Sequence, residues 1–212
     1  GQDCDPSQID ERIRKKTIEL YKNCLDIVQV LKPKVILFHP SWRLGLNERP
    51  QRIKQLIRSA KELNVEVKKI GCIMVFENLL GYELLRSPGV ERPLCRTKEE
   101  MVNIMNKMPN DIYAAIDMNH IQHPEELIKT LGNRVKSVHI CDGDGIKECH
   151  VLPGRGGNNW NLILQALDKA GYKGPFLYEI RGNEIKEFRE LKDCYDKLYL
   201  EYLKNIKKKL QN

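Results

Sequence analysis

Five short apolar runs in this chain each deliver, at or just past their C-terminal end, a side chain that can bind a metal or move a proton. Phe38 is followed by His39, Phe76 by Glu77, Ile116 by Asp117 and Tyr178 by Glu179, and His139 lies near the end of the run 135–140. Imidazole nitrogens and carboxylate oxygens together suit Zn2+, Mn2+, Mg2+ or Co2+, with no need of a thiolate. A charged group at the end of an apolar strand is costly unless it is paired or metal-bound. Any one of the five reads as well as a satisfied histidine or a capping carboxylate; five at successive strand ends point to one shared site. Residues 135–160 are the densest stretch, with Asp142, Asp144, Glu148 and His150 following His139, then Pro153-Gly154-Arg155-Gly156. His120, Glu148 and His150 form a second tier of candidates. His123, just before Pro124, reads as a surface residue.

The elements that must position these residues alternate between strand and helix. Residues 8–31 have a helical apolar face and end at Pro33; residues 34–38 form a strand. A helix is expected from Pro50 to Leu63 with Asn64 as its stop, then a strand somewhere in 65–76, then a polar, proline-bearing loop over 81–96. Thr97-Lys98-Glu99-Glu100 is a capping box opening a helix with Met101, Ile104 and Met105 on its apolar face. The strand 112–116, helix 124–131 closed by Gly132, strand 135–140, helix 160–170 closed by Gly171, strand 174–178 and a long amphipathic helix 184–210 complete the chain. Strands this uniformly apolar are expected to be buried on both faces, as in a parallel sheet covered by helices. A β/α barrel or an open doubly wound sheet fits. Gly-x-Gly-x-x-Gly is absent after the first strand, which counts against a dinucleotide fold. In a barrel the five strand ends would converge on one mouth.

The 212 residues suffice for one core, read as a single domain over 1–212, with 41% hydrophobic and 31% charged residues. No run of about 18 apolar residues is present, so no membrane span is expected. The net charge of +7 lies largely on ordinary helix faces and in residues 204–209, interspersed with acids, which favours a solvated surface over a nucleic-acid footprint. Seven scattered cysteines without a C-x-x-C pair suggest reduced thiols and a cytoplasmic setting. The first residue is Gly rather than Met, so the natural start is expected to lie elsewhere, and a removed signal stays open.

The ordered set E-N at 77–78, D-x-x-H at 117–120, V-H-I-x-D at 138–142, P-G-x-G at 153–156, Trp160, G-Y-x-G-P at 171–175 and the final Glu179 resembles the xylose isomerase-like TIM barrels. Within them it is most similar to the sugar phosphate isomerase/epimerase group. The resemblance implies that Glu77, Asp117, His139 and Glu179 hold one divalent metal. It also implies that Glu77 and Glu179, on opposite faces of a bound sugar or sugar phosphate, move a proton to and from the carbon beside the carbonyl through an enediolate. His120 would contact a substrate hydroxyl, with His150 beside it. Trp42 would offer the sugar an apolar wall or simply pack. Arg155 would bind a phosphate or carboxylate, or face solvent. The same superfamily holds zinc-dependent AP endonucleases. His39, followed by Pro40, resembles their extra zinc ligand, and Glu148-Cys149-His150 resembles their D-x-H pair with Glu in place of Asp. That substitution and the short loops make nucleic acid the less favoured substrate. A sugar-binding barrel without turnover is a third possibility.

A closed barrel needs roughly 250 residues and eight strands, and only five are visible here. The expectation is therefore a TIM-type barrel incomplete at its N-terminus by about three β/α units. A partner subunit, such as a second copy, would then have to cover the open edge.

Overall fold

The computed structural model describes residues 4–42, 44–80, 90–181 and 185–211. Among them the strands are β1 (Val35–Phe38), β2 (Leu44–Gly45), β3 (Ile73–Glu77), β4 (Val90–Glu91), β5 (Ile112–Asp117), β6 (Val135–Ile140) and β7 (Phe176–Tyr178). The α-helices are α1 (Glu11–Leu31), α2 (Arg49–Lys69), α3 (Lys98–Lys107), α4 (Pro124–Leu131), α5 (Trp160–Lys169) and α6 (Ile185–Gln211). Five strands form one all-parallel sheet in the order β1-β3-β5-β6-β7. Each strand joins its sheet neighbour through one helix, and the order never reverses. A doubly wound sheet reverses at a switch point, so this is a segment of a singly wound β/α barrel.

The core forms where the sheet meets the helices. Met74, Phe76, Ala114, Ile116, Val138 and Ile140 are fully buried against Leu56, Ala60, Leu63 and Val67 of α2 and Ile104, Leu127 and Ile163 of the later helices. The central strands β3, β5 and β6 are as buried as their composition implies. The outer strands are not: three of the four residues of β1 are only partly covered, and Leu177 and Tyr178 of β7 are exposed. Among the described residues these two are the edges of the sheet, with a strand neighbour on one side only.

Two local readings need correction. Helix α2 does not stop at Asn64 but runs on to Lys69, because Leu56, Ala60, Leu63 and Val67 continue one buried stripe; Asn64 itself is buried within it. The real stop is Gly71, which takes φ 76° after the basic pair Lys68-Lys69, as a helix C-terminus favours. The following strand therefore begins only at Ile73. In the expected loop 81–96, residues 90–91 pair antiparallel with Leu44–Gly45 as a small ribbon, while residues 81–89 lie outside the described part.

Candidate metal and catalytic site

The sheet brings the strand ends together in a way that depends on one irregularity. Ala114 pairs with Val135 but Ala115 pairs with Ser137, so Lys136 is an extra residue in β6. Without that bulge Asp117 would stand level with Val138; with it, Asp117 stands level with His139. A one-residue slip reverses the faces of a strand, so the bulge decides that the two side chains meet.

At the carboxyl end of the sheet, Glu77, Asp117, His139 and Glu179 each offer a ligand atom within 4.8 Å of the others. The Nδ1 of His139 lies 2.6 Å from Glu179 Oε2, 3.0 Å from Glu77 Oε1 and 3.7 Å from Asp117 Oδ2. On one flank, His39 Nε2 is 3.1 Å from Glu77 Oε2. On the other, His120 Nδ1 is 3.7 Å from Glu77 and 3.8 Å from Asp117. Glu77 and Asp117 are buried, whereas the Glu179 side chain is 45% exposed.

Three carboxylates this close require positive charge among them. Burial alone would raise the pKa of Glu77, but its contacts with His139 and His39 outweigh that and hold it down at about 2. Burial likewise works against a charged His139, yet Asp117, Glu179 and Glu77 push it up to about 12. Glu179 is lowered chiefly by its contact with His139. In the bare protein the imidazolium thus serves as counter-cation. The geometry nevertheless fits a metal ion: Nδ1 of His139 is buried and, despite its short approaches, makes no aligned hydrogen bond. Donor atoms that crowd one point without addressing each other are arranged as ligands, and their hard oxygens with one imidazole suit a divalent cation.

Two neighbours that the strand-end pattern did not single out hold the cluster in shape. The Asn78 amide donates to the Asp117 carbonyl at 3.1 Å and accepts from the Asp117 N–H at 2.8 Å, locking the end of β3 to that of β5. Its own carbonyl lies 3.1 Å from His120 Nδ1. Asp117 Oδ1 accepts from the N–H of Asn119 and His120, at 2.7 and 3.1 Å. The Cys141 thiol, kept protonated by burial and by Asp117, sits 3.5 Å from the same oxygen. Such partners orient ligands as much as the ligands' own strands do.

The second-tier residues also meet. His120, Glu148 and His150 have ligand atoms within 4.8 Å of one another, and the Nε2 atoms of the two histidines are 3.2 Å apart. His150 reaches both Asp117 and Glu179 at 3.8 Å. Glu148 also lies 3.4 Å from Arg181. Trp42 is partly exposed and lines, with His39, Tyr21 and Phe38, a cavity of about 410 Å3 at the β1 edge. This cavity touches the cluster only through His39. Arg155 is exposed and pairs with Glu190 of α6 at 3.0 Å. Asp142 and Asp144, members of the dense stretch, build the loop. Asp142 is fully buried and accepts from the N–H groups of Gly143, Gly154 and Asn158 and from the Trp160 indole. Asp144 caps the turn at Ile146 and Lys147.

Fold and site together define a parallel β/α barrel segment with an acid–histidine cluster at the carboxyl ends of its strands. The chain belongs to the xylose isomerase-like TIM barrel family, whose sequence profile matches residues 2–198. It is 24% identical over 172 residues to an uncharacterised protein of Methanocaldococcus jannaschii, covering 79% of this chain and 63% of that one. It is 21% identical over 177 residues to fructoselysine 3-epimerase of Escherichia coli O157:H7, covering 81% and 61%. The chain thus spans somewhat under two thirds of the length of both relatives. Among solved structures, a D-tagatose 3-epimerase-like protein superposes with a TM-score of 0.79 at 22% identity, covering 99% of this chain and 77% of that one. A D-psicose 3-epimerase superposes with a TM-score of 0.70 at 17% identity, covering 86% and 62%. At these identities the structural likeness is one of fold. No described helix is long and apolar enough to cross a membrane.

Proposed function

We propose that the chain carries the catalytic centre of a divalent-metal-dependent sugar isomerase or epimerase. The observation that carries this reading is the convergence of Glu77, Asp117, His139 and Glu179 around the buried, unaligned Nδ1 of His139. These four residues would hold the cation. When bound, it supplies the positive charge against which negative charge develops on substrate oxygens.

The remaining chemistry belongs to the chain. A C–H beside a carbonyl is a weak acid, and moving its proton needs ionised carboxylates within reach. Glu77 and Glu179 both have pKa values below the ordinary carboxylate value, so both are ionised near neutrality. Glu179 is half-open to solvent, whereas Glu77 is buried, 3.1 Å from His39 and 3.7 Å from His120. With a ketose between them, one carboxylate takes the C–H proton and afterwards releases it to water, while the other, which first takes up a proton from solvent, delivers that proton to the same carbon from the opposite face. His120 and His150 stand beside the pair to meet sugar hydroxyls, and Trp42 offers an apolar wall on the His39 side. The fructoselysine 3-epimerase relative supports a sugar substrate. The test is exchange of a ketose C–H with deuterated water in the presence of Mn2+. The reading predicts exchange by the wild type and a loss of about a thousandfold in Glu77→Gln and Glu179→Gln. Equal exchange in both variants would contradict it.

One observation favours a second reading. The His120, Glu148 and His150 group adjoins the main cluster, as a multi-metal phosphodiesterase acting on abasic DNA requires. Nicking of an abasic duplex with two or three ions bound per chain would select it; one ion and no nicking selects the isomerase.

A further inference from the structure

We infer that Asp117, Cys141 and His150 form a position for a thiophilic divalent ion such as Zn2+, beside the oxygen-rich centre and sharing Asp117 with it. The position does not depend on turnover of a sugar. Residues two apart along a strand project to the same face, so Cys141, just past the end of β6, follows His139 toward Asp117. The chain then doubles back. Asp142 and Val151 exchange N–H to carbonyl bonds of 2.9 Å as an isolated antiparallel bridge, and this returns His150 to the same place.

All three side chains are buried, and each offers a ligand atom within 4.8 Å of the other two. Cys141 Sγ lies 3.7 Å from Asp117 Oδ2, and His150 Nε2 lies 3.8 Å from the same oxygen. A tetrahedral ion at the usual bond lengths holds such donors about 3.3–3.7 Å apart, so a slight closure seats it. The thiol is not committed to one acceptor: its approaches to Asp117 Oδ1, Asp117 Oδ2 and the His139 carbonyl, at 3.5, 3.7 and 3.9 Å, are long and shared. Ligation breaks the S–H bond, forms a sulfur–metal bond and releases the proton to solvent. The sulfur sets this position apart from the neighbouring group of His120, Glu148 and His150. Thiolate selects Zn2+ and softer ions, while Mg2+ and Mn2+ keep to carboxylates and water. A soft ion is thus drawn toward Cys141, and a hard one stays with the four strand tips.

The test is a titration of the reduced, metal-free full chain with Co2+, followed by its absorption spectrum. A sulfur-to-cobalt charge-transfer band in the near ultraviolet should grow to saturation and be lost in Cys141→Ser. It should persist in Cys24→Ser and Cys149→Ser, whose thiols are exposed and partly exposed. Loss of an outer partner alone weakens metal binding about 10- to 100-fold, so His150→Gln should need at least about tenfold more Co2+ for the same band. A band absent from the wild type, surviving Cys141→Ser, or unmoved in His150→Gln would overturn the inference. X-ray absorption of the dialysed, zinc-loaded wild type covers a variant that does not fold. A zinc–sulfur distance of about 2.3 Å supports the position, and nitrogen and oxygen neighbours alone overturn it. Both readouts are blind to turnover. The band without ketose exchange would sink the isomerase reading and leave this position standing; exchange without the band would do the reverse.

Discussion

At the residue scale, Asn78 and Asp142 show how much of the site depends on side chains that do no chemistry. Asn78→Ala would strand a buried N–H and a buried carbonyl of Asp117. The expected cost is about 2–4 kcal/mol, read from urea unfolding, with Mn2+ affinity falling about 10- to 100-fold as Asp117 loosens. Asp142→Ala removes the acceptor of four hydrogen bonds, one of them from the Trp160 indole. It should cost about 3–5 kcal/mol and shift indole fluorescence to the red. A variant as stable as wild type would contradict either account. The place of Glu77, Asp117, His139 and Glu179 at strand tips was legible in sequence, because an apolar run that ends in His, Asp or Glu marks a strand tip whatever its neighbours are. The roles of Asp142 and Asn78 were not, since an acid in a glycine-rich loop looks the same whether it binds a metal or ties down four donors.

At the element scale, α1 and α2 are joined by a buried cation. The Arg14 side chain is fully buried, held by Glu11 at 2.9 Å and Glu62 at 3.0 Å and by Ser59. Contact with Arg14 holds Glu11 down at about 2, below its ordinary 4.5. A depressed carboxylate adds stability at and above its ordinary value and loses it as pH falls through the folded value. Thermal unfolding followed from pH 5 to pH 2 should therefore show a steeper acid loss in wild type than in Glu11→Gln; parallel curves would refute the linkage. A basic residue on a helix face reads as solvated in sequence, and only its i,i+3 acid hinted otherwise. Helix α2 overran its expected end for a related reason. Asn64 and the β-branched Val65 and Val67 favour a stop and a strand locally, but a continuous buried stripe overrides propensity. The two-residue ribbon β2–β4 and the bulge at Lys136 carry no periodicity, so nothing in composition could announce them.

At the scale of the whole molecule, the singly wound order of strands was legible from the alternation of strand and helix, while the fate of the outer strands was not. An apolar run cannot say whether a neighbour exists on each side. Among the described residues β1 and β7 leave the sheet with two edges, and near the first, α1 exposes Ile27, Val30 and Leu31 at 67%, 79% and 74%. Apolar surface beside an unpaired strand favours association. Sedimentation of the 212-residue chain should show concentration-dependent self-association, reduced in Ile27→Lys/Val30→Lys without loss of stability, because those side chains are already exposed. A chain that stays monomeric at all concentrations would contradict this. Calorimetric titration of the purified chain with Mn2+, beside Asp117→Ala and His139→Ala, shows whether the four strand tips build one metal centre. One ion per wild-type chain is expected, and none at the same concentrations in either variant. Binding that persists in both variants, or no binding by the wild type, would contradict it.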